Sequence, residues 1–192
     1  MDTMDILTQY AESTKKETYW KSGKIGDDGC CDIWMSNGYR ISFTENRQRG
    51  GDNIVMHVYD VKGDEIHKYA CYDLNVEWAK QCIDTIAALQ APEATRCDWL
   101  YFKATQNENV LGAEIHNYAA SAEECVTIQL LNGYSIDVID APENNNMLEI
   151  DIYDISGAQT WTEAANVDEV LFVIDDISAS DPYLEDEEFE NI

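Results

Sequence analysis

Glu149 and Asp151, two residues apart in the stretch LEIDIYD (148–154), are of a type and spacing that could do chemistry. In an alternating stretch they stand on one face of a β-strand, roughly 6.6 Å apart at about 3.3 Å per residue. Carboxylates held by backbone at that spacing serve acid–base catalysis, hold a cation, or meet the basic side chains of a partner. The last of these fits the rest of the chain best. P-loop, GxGxxG, HExxH and GxSxG patterns are all missing. A glycosidase or nuclease needs its acids embedded among other site residues, whereas here acids are everywhere. DDGCCD (27–32) and LEDEEFE (184–190) lack the spaced oxygen ligands of an EF-hand loop and the glycine at its sixth position. The six cysteines, Cys30, Cys31, Cys71, Cys82, Cys97 and Cys125, form no CxxC, and His57, His67 and His116 do not lie at zinc-ligand spacing from any pair of them. The expectation is a non-enzymatic protein with no cofactor and no metal site.

Charge sharpens it. The chain has 192 residues, a net charge of −26 and 45% hydrophobic residues, so it has enough apolar material to fold despite strong self-repulsion. Direct nucleic-acid binding is disfavoured, because phosphate contact needs Lys and Arg. The charge is also uneven. Residues 1–92 hold 15 acidic and 10 basic residues, whereas residues 93–192 hold 23 acidic and 2 basic ones. Adaptation to high salt acidifies a whole surface, so this asymmetry points instead to a cationic partner for the second half. The N-terminus has neither the basic nor the apolar segment of a secretory signal, and no run approaches a membrane span. A cytoplasmic protein with reduced cysteines in its core is expected.

The strand that carries Glu149 and Asp151 occurs twice. IVMHVYD (54–60) repeats its apolar positions and its closing Tyr-Asp, with Val55 and His57 where the acids stand. CDIWMSNGYRISF (31–43) likewise aligns with VTIQLLNGYSIDV (126–138), and LNVEWAKQCIDTI (74–86) with ANVDEVLFVIDDI (165–177). Each copy reads as an opening segment, helical in 4–16 and ambiguous in 94–106, then a less regular stretch and a hairpin. A further strand, a shorter one near 66–72 or 159–163, and a closing helix follow. Asn37-Gly38 and Asn132-Gly133 suit two-residue type I′ turns. Asn75 and Asn166 are N-cap residues, and Val76, Ala79, Cys82, Ile83 and Ile86 form one helix face. The fold class expected is α+β, an internal duplication of two small antiparallel-sheet-plus-helix repeats over 1–90 and 94–177, with an acidic disordered tail at 178–192. In the second repeat Tyr134, Ile136, Val138, Leu148, Ile150 and Ile152 point inward. Ser135, Asp137, Glu149, Asp151 and Tyr153 point outward.

Small size, the lack of enzyme motifs, extreme acidity and a rigid acidic face together resemble the DNA-mimic anti-restriction and anti-CRISPR proteins of phages and mobile elements. The resemblance is compositional and covers the second half and the tail. It implies a target that handles nucleic acid, such as a Cas effector (Cas9, for example) in a bacterial host, and an inhibitor that fills its basic channel. The expected partner-binding acids are Asp137, Asp140, Glu149, Asp151, Asp154, Asp168, Glu169, Asp175 and Asp176. The alternative from the same composition is an acidic adaptor or immunity protein that neutralises a basic partner.

Overall fold

Alternation and turn chemistry produce two antiparallel sheets, each covered on one face by two helices. A computed structural model describes residues 3–14, 17–22, 29–48, 51–72, 75–117, 123–141 and 146–180. The chain divides into two compact units, Met1–Glu93 and Ala94–Ile192. The first runs α1 (Thr3–Ser13), β1 (Glu17–Ser22), β2 (Gly29–Trp34), β3 (Arg40–Gln48), β4 (Gly51–Tyr59), β5 (Glu65–Tyr72) and α2 (Val76–Ala87). The second runs α3 (Arg96–Ala104), β6 (Val110–Asn117), β7 (Glu124–Leu130), β8 (Ser135–Asp140), β9 (Leu148–Tyr153), β10 (Gln159–Ala164) and α4 (Val167–Ser178). Each sheet has five strands in sequential order, a meander. No described helix is long and apolar enough to cross a membrane.

Strand alternation puts every second side chain under the helices. In the first unit Ile33, Ile41, Phe43, Ile54, Met56 and Val58 pack against Met4, Leu7 and Ala11 of α1 and Ala79 and Ile83 of α2. In the second, Val126, Ile128, Ile136, Val138, Leu148 and Ile150 meet Cys97, Leu100 and Ala104 of α3 and Val170 and Ile174 of α4. The inward positions expected for 136, 138, 148, 150 and 152 are buried. Residue 134 is partly buried against the same core. Both asparagine N-caps are present, Asn75 Oδ1 accepting from Trp78 N at 2.9 Å and Asn166 Oδ1 from Glu169 N at 3.0 Å. The ambiguous segment at 94–106 is helical, started by a capping box between Thr95 and Asp98.

Two expectations need correction. The less regular stretches contain edge strands, β1 and β6; β6 (VLGAEIHN) loses its alternation at a register shift between Val110 and Gly112. The Asn-Gly turns are also not type I′. Met35 N–H donates to Tyr39 O at 2.9 Å and Gly38 N–H to Met35 O at 2.9 Å, closing a three-residue loop over Ser36, Asn37 and Gly38. Leu130, Tyr134 and Gly133 repeat the pattern. Only the glycines take positive φ, 88° at Gly38 and 92° at Gly133, so each loop is a type I turn closed by a left-handed glycine.

The asparagine of each loop has a different task. Asn37 Nδ2 donates to Ile86 O at 2.9 Å and Leu89 O at 3.1 Å, and Asn132 Nδ2 donates to Ile177 O at 2.8 Å and Ser180 O at 3.1 Å. Ile86 and Ile177 lie in the last turns of α2 and α4, where their carbonyls also accept from Leu89 N and Ser180 N, and Leu89 and Ser180 themselves lie just past the helix ends. Each hairpin thus clamps the end of its closing helix. Alanine at Asn37 or Asn132 is expected to cost about 1–2 kcal/mol in urea denaturation. Aspartate should cost more, since it brings negative charge to the negative end of the helix.

Candidate partner-binding face

The helices cover one face of the second sheet, and the other face carries the acids. Its cross-strand register sets them. Asp137 of β8 stands directly opposite Asp151 of β9, and Asp151 opposite Trp161 of β10. Glu149 stands opposite Glu163. Neighbouring strands are about 4.8 Å apart, and same-face residues along a strand about 6.6 Å. Asp137, Asp151, Glu149 and Glu163 therefore form a four-carboxylate patch with like charges facing across both strand pairs, an arrangement that costs stability. Thr127 Oγ1 donates to Asp137 Oδ1 at 2.7 Å and holds that carboxylate in place.

Cys125 lies on the same face and not in the helix-covered core, yet it is only 2% exposed. Burial first, and then the charge of Asp137, push its thiol up to about 11, so it stays protonated and unreactive at neutral pH. Cys31 and Cys97 belong to the two helix-covered cores.

The second unit has only two Lys or Arg residues, and both are engaged by other acids. Arg96 makes a fork with Asp140, Nε to Oδ2 at 3.0 Å and Nη2 to Oδ1 at 2.5 Å, and reaches Asn146 O at 2.6 Å. Lys103 Nζ meets Asp168 Oδ1 at 2.6 Å. No Lys or Arg of the unit is left to neutralise the four-carboxylate patch.

Six of the nine expected acids are therefore not part of one face. Asp140 follows the parity of Ile136 and Val138, towards the helices, and its carboxylate ties β8 to the start of α3. Asp154 is a turn residue: its Oδ1 accepts from Ser156 N at 2.8 Å, Ser156 Oγ at 2.6 Å and Ala158 N at 2.9 Å. Those bonds, the serine hydroxyl's first, hold its carboxyl below the usual range. Asp60 plays the same part in the first unit, accepting from Lys62 N at 2.9 Å and Asp64 N at 3.0 Å. Asp168, Glu169, Asp175 and Asp176 lie on α4, across the sheet from the patch. Glu169 receives Ala165 N at 2.6 Å, and Asp175 receives Asn107 Nδ2 at 2.8 Å. What unites the nine is charge. Residues 181–192 of the expected tail lie outside the described residues.

Glu163 and Trp161 were not expected in the patch. Their signal was the turn DISG (154–157), whose hydrogen bonds set the β9–β10 register and bring Glu163 opposite Glu149.

The first unit offers the comparison. At the matching cross-strand positions it has Ser42 for Asp137, His57 for Asp151, Val55 for Glu149 and Ala70 for Glu163. Its open face carries Arg40, 4.2 Å above the Tyr59 ring, and Lys68, opposite His57, whose Nδ1 is hydrogen-bonded to Glu65 at 2.5 Å. At the register positions of Arg40 and Lys68 the second unit has Ser135 and Trp161. No protein-family model matches this sequence, and no curated protein matches it.

Proposed function

We propose that this protein is a non-enzymatic inhibitor whose second unit fills the basic nucleic-acid channel of a target protein. The observation that supports it most is the patch of Asp137, Glu149, Asp151 and Glu163, four carboxylates fixed on a sheet with no Lys or Arg in their own unit to neutralise them. A channel built from Arg and Lys to hold phosphates accepts carboxylates by the same charge-assisted hydrogen bonds. A Cas effector is one target of that description. The two units arose, in this reading, by duplication of one α-five-strand-α unit. Their shared element order, turns and asparagine clamps support it. After duplication the cores kept their pattern and the open faces diverged, the second losing its cations and gaining carboxylates.

The test is competition. A target captured from nuclease-treated host lysate should release labelled DNA or RNA as this protein is added, and the complex should weaken as salt rises, since exposed charge pairs are screened over about 8–10 Å. The protein itself should bind neither nucleic acid. A target that holds this protein and its nucleic acid together, each at full affinity, would overturn inhibition by mimicry and leave the acidic adaptor as the account.

A further inference from the structure

Four strands end the two sheets, and three of them carry features that discourage a further strand from pairing. β5 has Lys68 and a register shift at Val58–Tyr59, β6 has the shift at Val110–Gly112, and β1 contains Lys21. β10 has none of these. All six of its residues, Gln159–Ala164, pair in unbroken register with β9, and the stretch QTWTEA holds no Lys and no Pro. Among the described residues no strand pairs with its other side.

The direction of its free backbone groups follows from the turn. Asp154 N–H donates to Ala158 O at 3.1 Å, and hydrogen-bonded pairs recur at every second residue of an antiparallel ladder. Thr160 and Thr162 therefore aim their backbone groups at β9. Gln159, Trp161 and Glu163 aim theirs at the open edge. The Trp161 side chain is 67% exposed on the acidic face, beside Asp151 and one position from Glu163.

We infer that β10 is a docking edge, and that its occupant is an extended segment of the partner with arginine or lysine at alternate positions, added as a sixth strand. Alternate side chains of such a segment fall on the acidic face, where Asp151, Glu149 and Glu163 supply the opposite charge and Trp161 an aromatic surface for a guanidinium. Charge selects this occupant over the two others within reach. A second copy of a chain at −26, or the chain's own end with six acidic residues after Ser180, would bring carboxylates to carboxylates. The inference rests on the proposed function only for the sign of the partner's charge.

Two synthetic peptides test it on the full chain, one alternating arginine with valine and one alternating glutamate with valine. The arginine peptide should bind, and the backbone amides of Trp161 and Glu163 should then exchange about tenfold more slowly or better in hydrogen-exchange measurements. The glutamate peptide should do neither. Glu163→Pro removes an outward donor and should weaken the arginine peptide about tenfold beyond Glu163→Gln, which removes only the charge. Failure of the arginine peptide to bind, or equal binding of both peptides, would overturn the inference. So would binding that leaves both amides exchanging at their free rate, a result that overturns the edge but leaves the carboxylate patch as the site. Protection of the amides together with undiminished target binding when Glu149 and Asp151 are reversed would do the opposite, retaining the edge and removing the proposed function.

Discussion

Changing Glu149 and Asp151 together to lysine should weaken target binding by about 2–5 kcal/mol while leaving the fold as stable as before, or slightly more so. The loss follows from what the carboxylates meet: a basic group buried in a complex and deprived of its partner carries that order of penalty, whereas a pair at a wet rim costs far less. The unchanged stability follows from the register. Asp151 faces Asp137, and Glu149 faces Glu163, so each lysine replaces a repulsion between directly opposed like charges with an attraction. Lysine at Val55 and His57, the matching positions of the first unit, should change binding much less. Titration calorimetry of the complex beside thermal melts of the free protein separates the two quantities. Equal losses from both units would show that the open face of the second is not where the charge acts.

Changing Arg96 to methionine should do the reverse, costing about 2–3 kcal/mol of stability with little direct effect on binding. Arg96 gives up a two-pronged bond to Asp140 and a bond to Asn146 O. The Asp140 side chain, only 17% exposed, is then left half-buried without its cation. The same change at Lys103 should cost well under about 1 kcal/mol, because its partner Asp168 is 71% exposed and water screens the pair. Changing Asp140 to leucine alongside Arg96→Met should recover much of the loss, since an apolar pair leaves no buried charge unanswered. Urea denaturation measures all three, and target affinity corrected for the folded fraction should stay near that of the unchanged protein. An Arg96→Met protein that is stable yet no longer binds would place Arg96 in the interface.

Much of this fold was legible in the sequence because its signals are local. The alternation in LEIDIYD assigns Leu148, Ile150 and Ile152 to one face and Glu149 and Asp151 to the other without reference to any neighbour. Asn75 and Asn166 precede their helices by the spacing an N-cap requires, and a glycine in each Asn-Gly pair marks where the chain must take positive φ. The charge asymmetry is a property of composition alone. Tertiary structure decided the rest, because register, pairing and recruitment join residues far apart in the chain. Parity put Asp137 on the same face as Asp151, but only the β8–β9 register set them opposite each other. Glu163 joined them through the turn after β9, and Asp140, on the opposite face by parity, met Arg96, 44 residues away. Asn37 and Asn132 show the same limit: local preference allowed a type I′ turn, and the carbonyls at a distant helix end took the side chain as a further donor in another. A sequence shows which side chains share a face; the free energy of the assembled sheet and helices decides which of them already have partners.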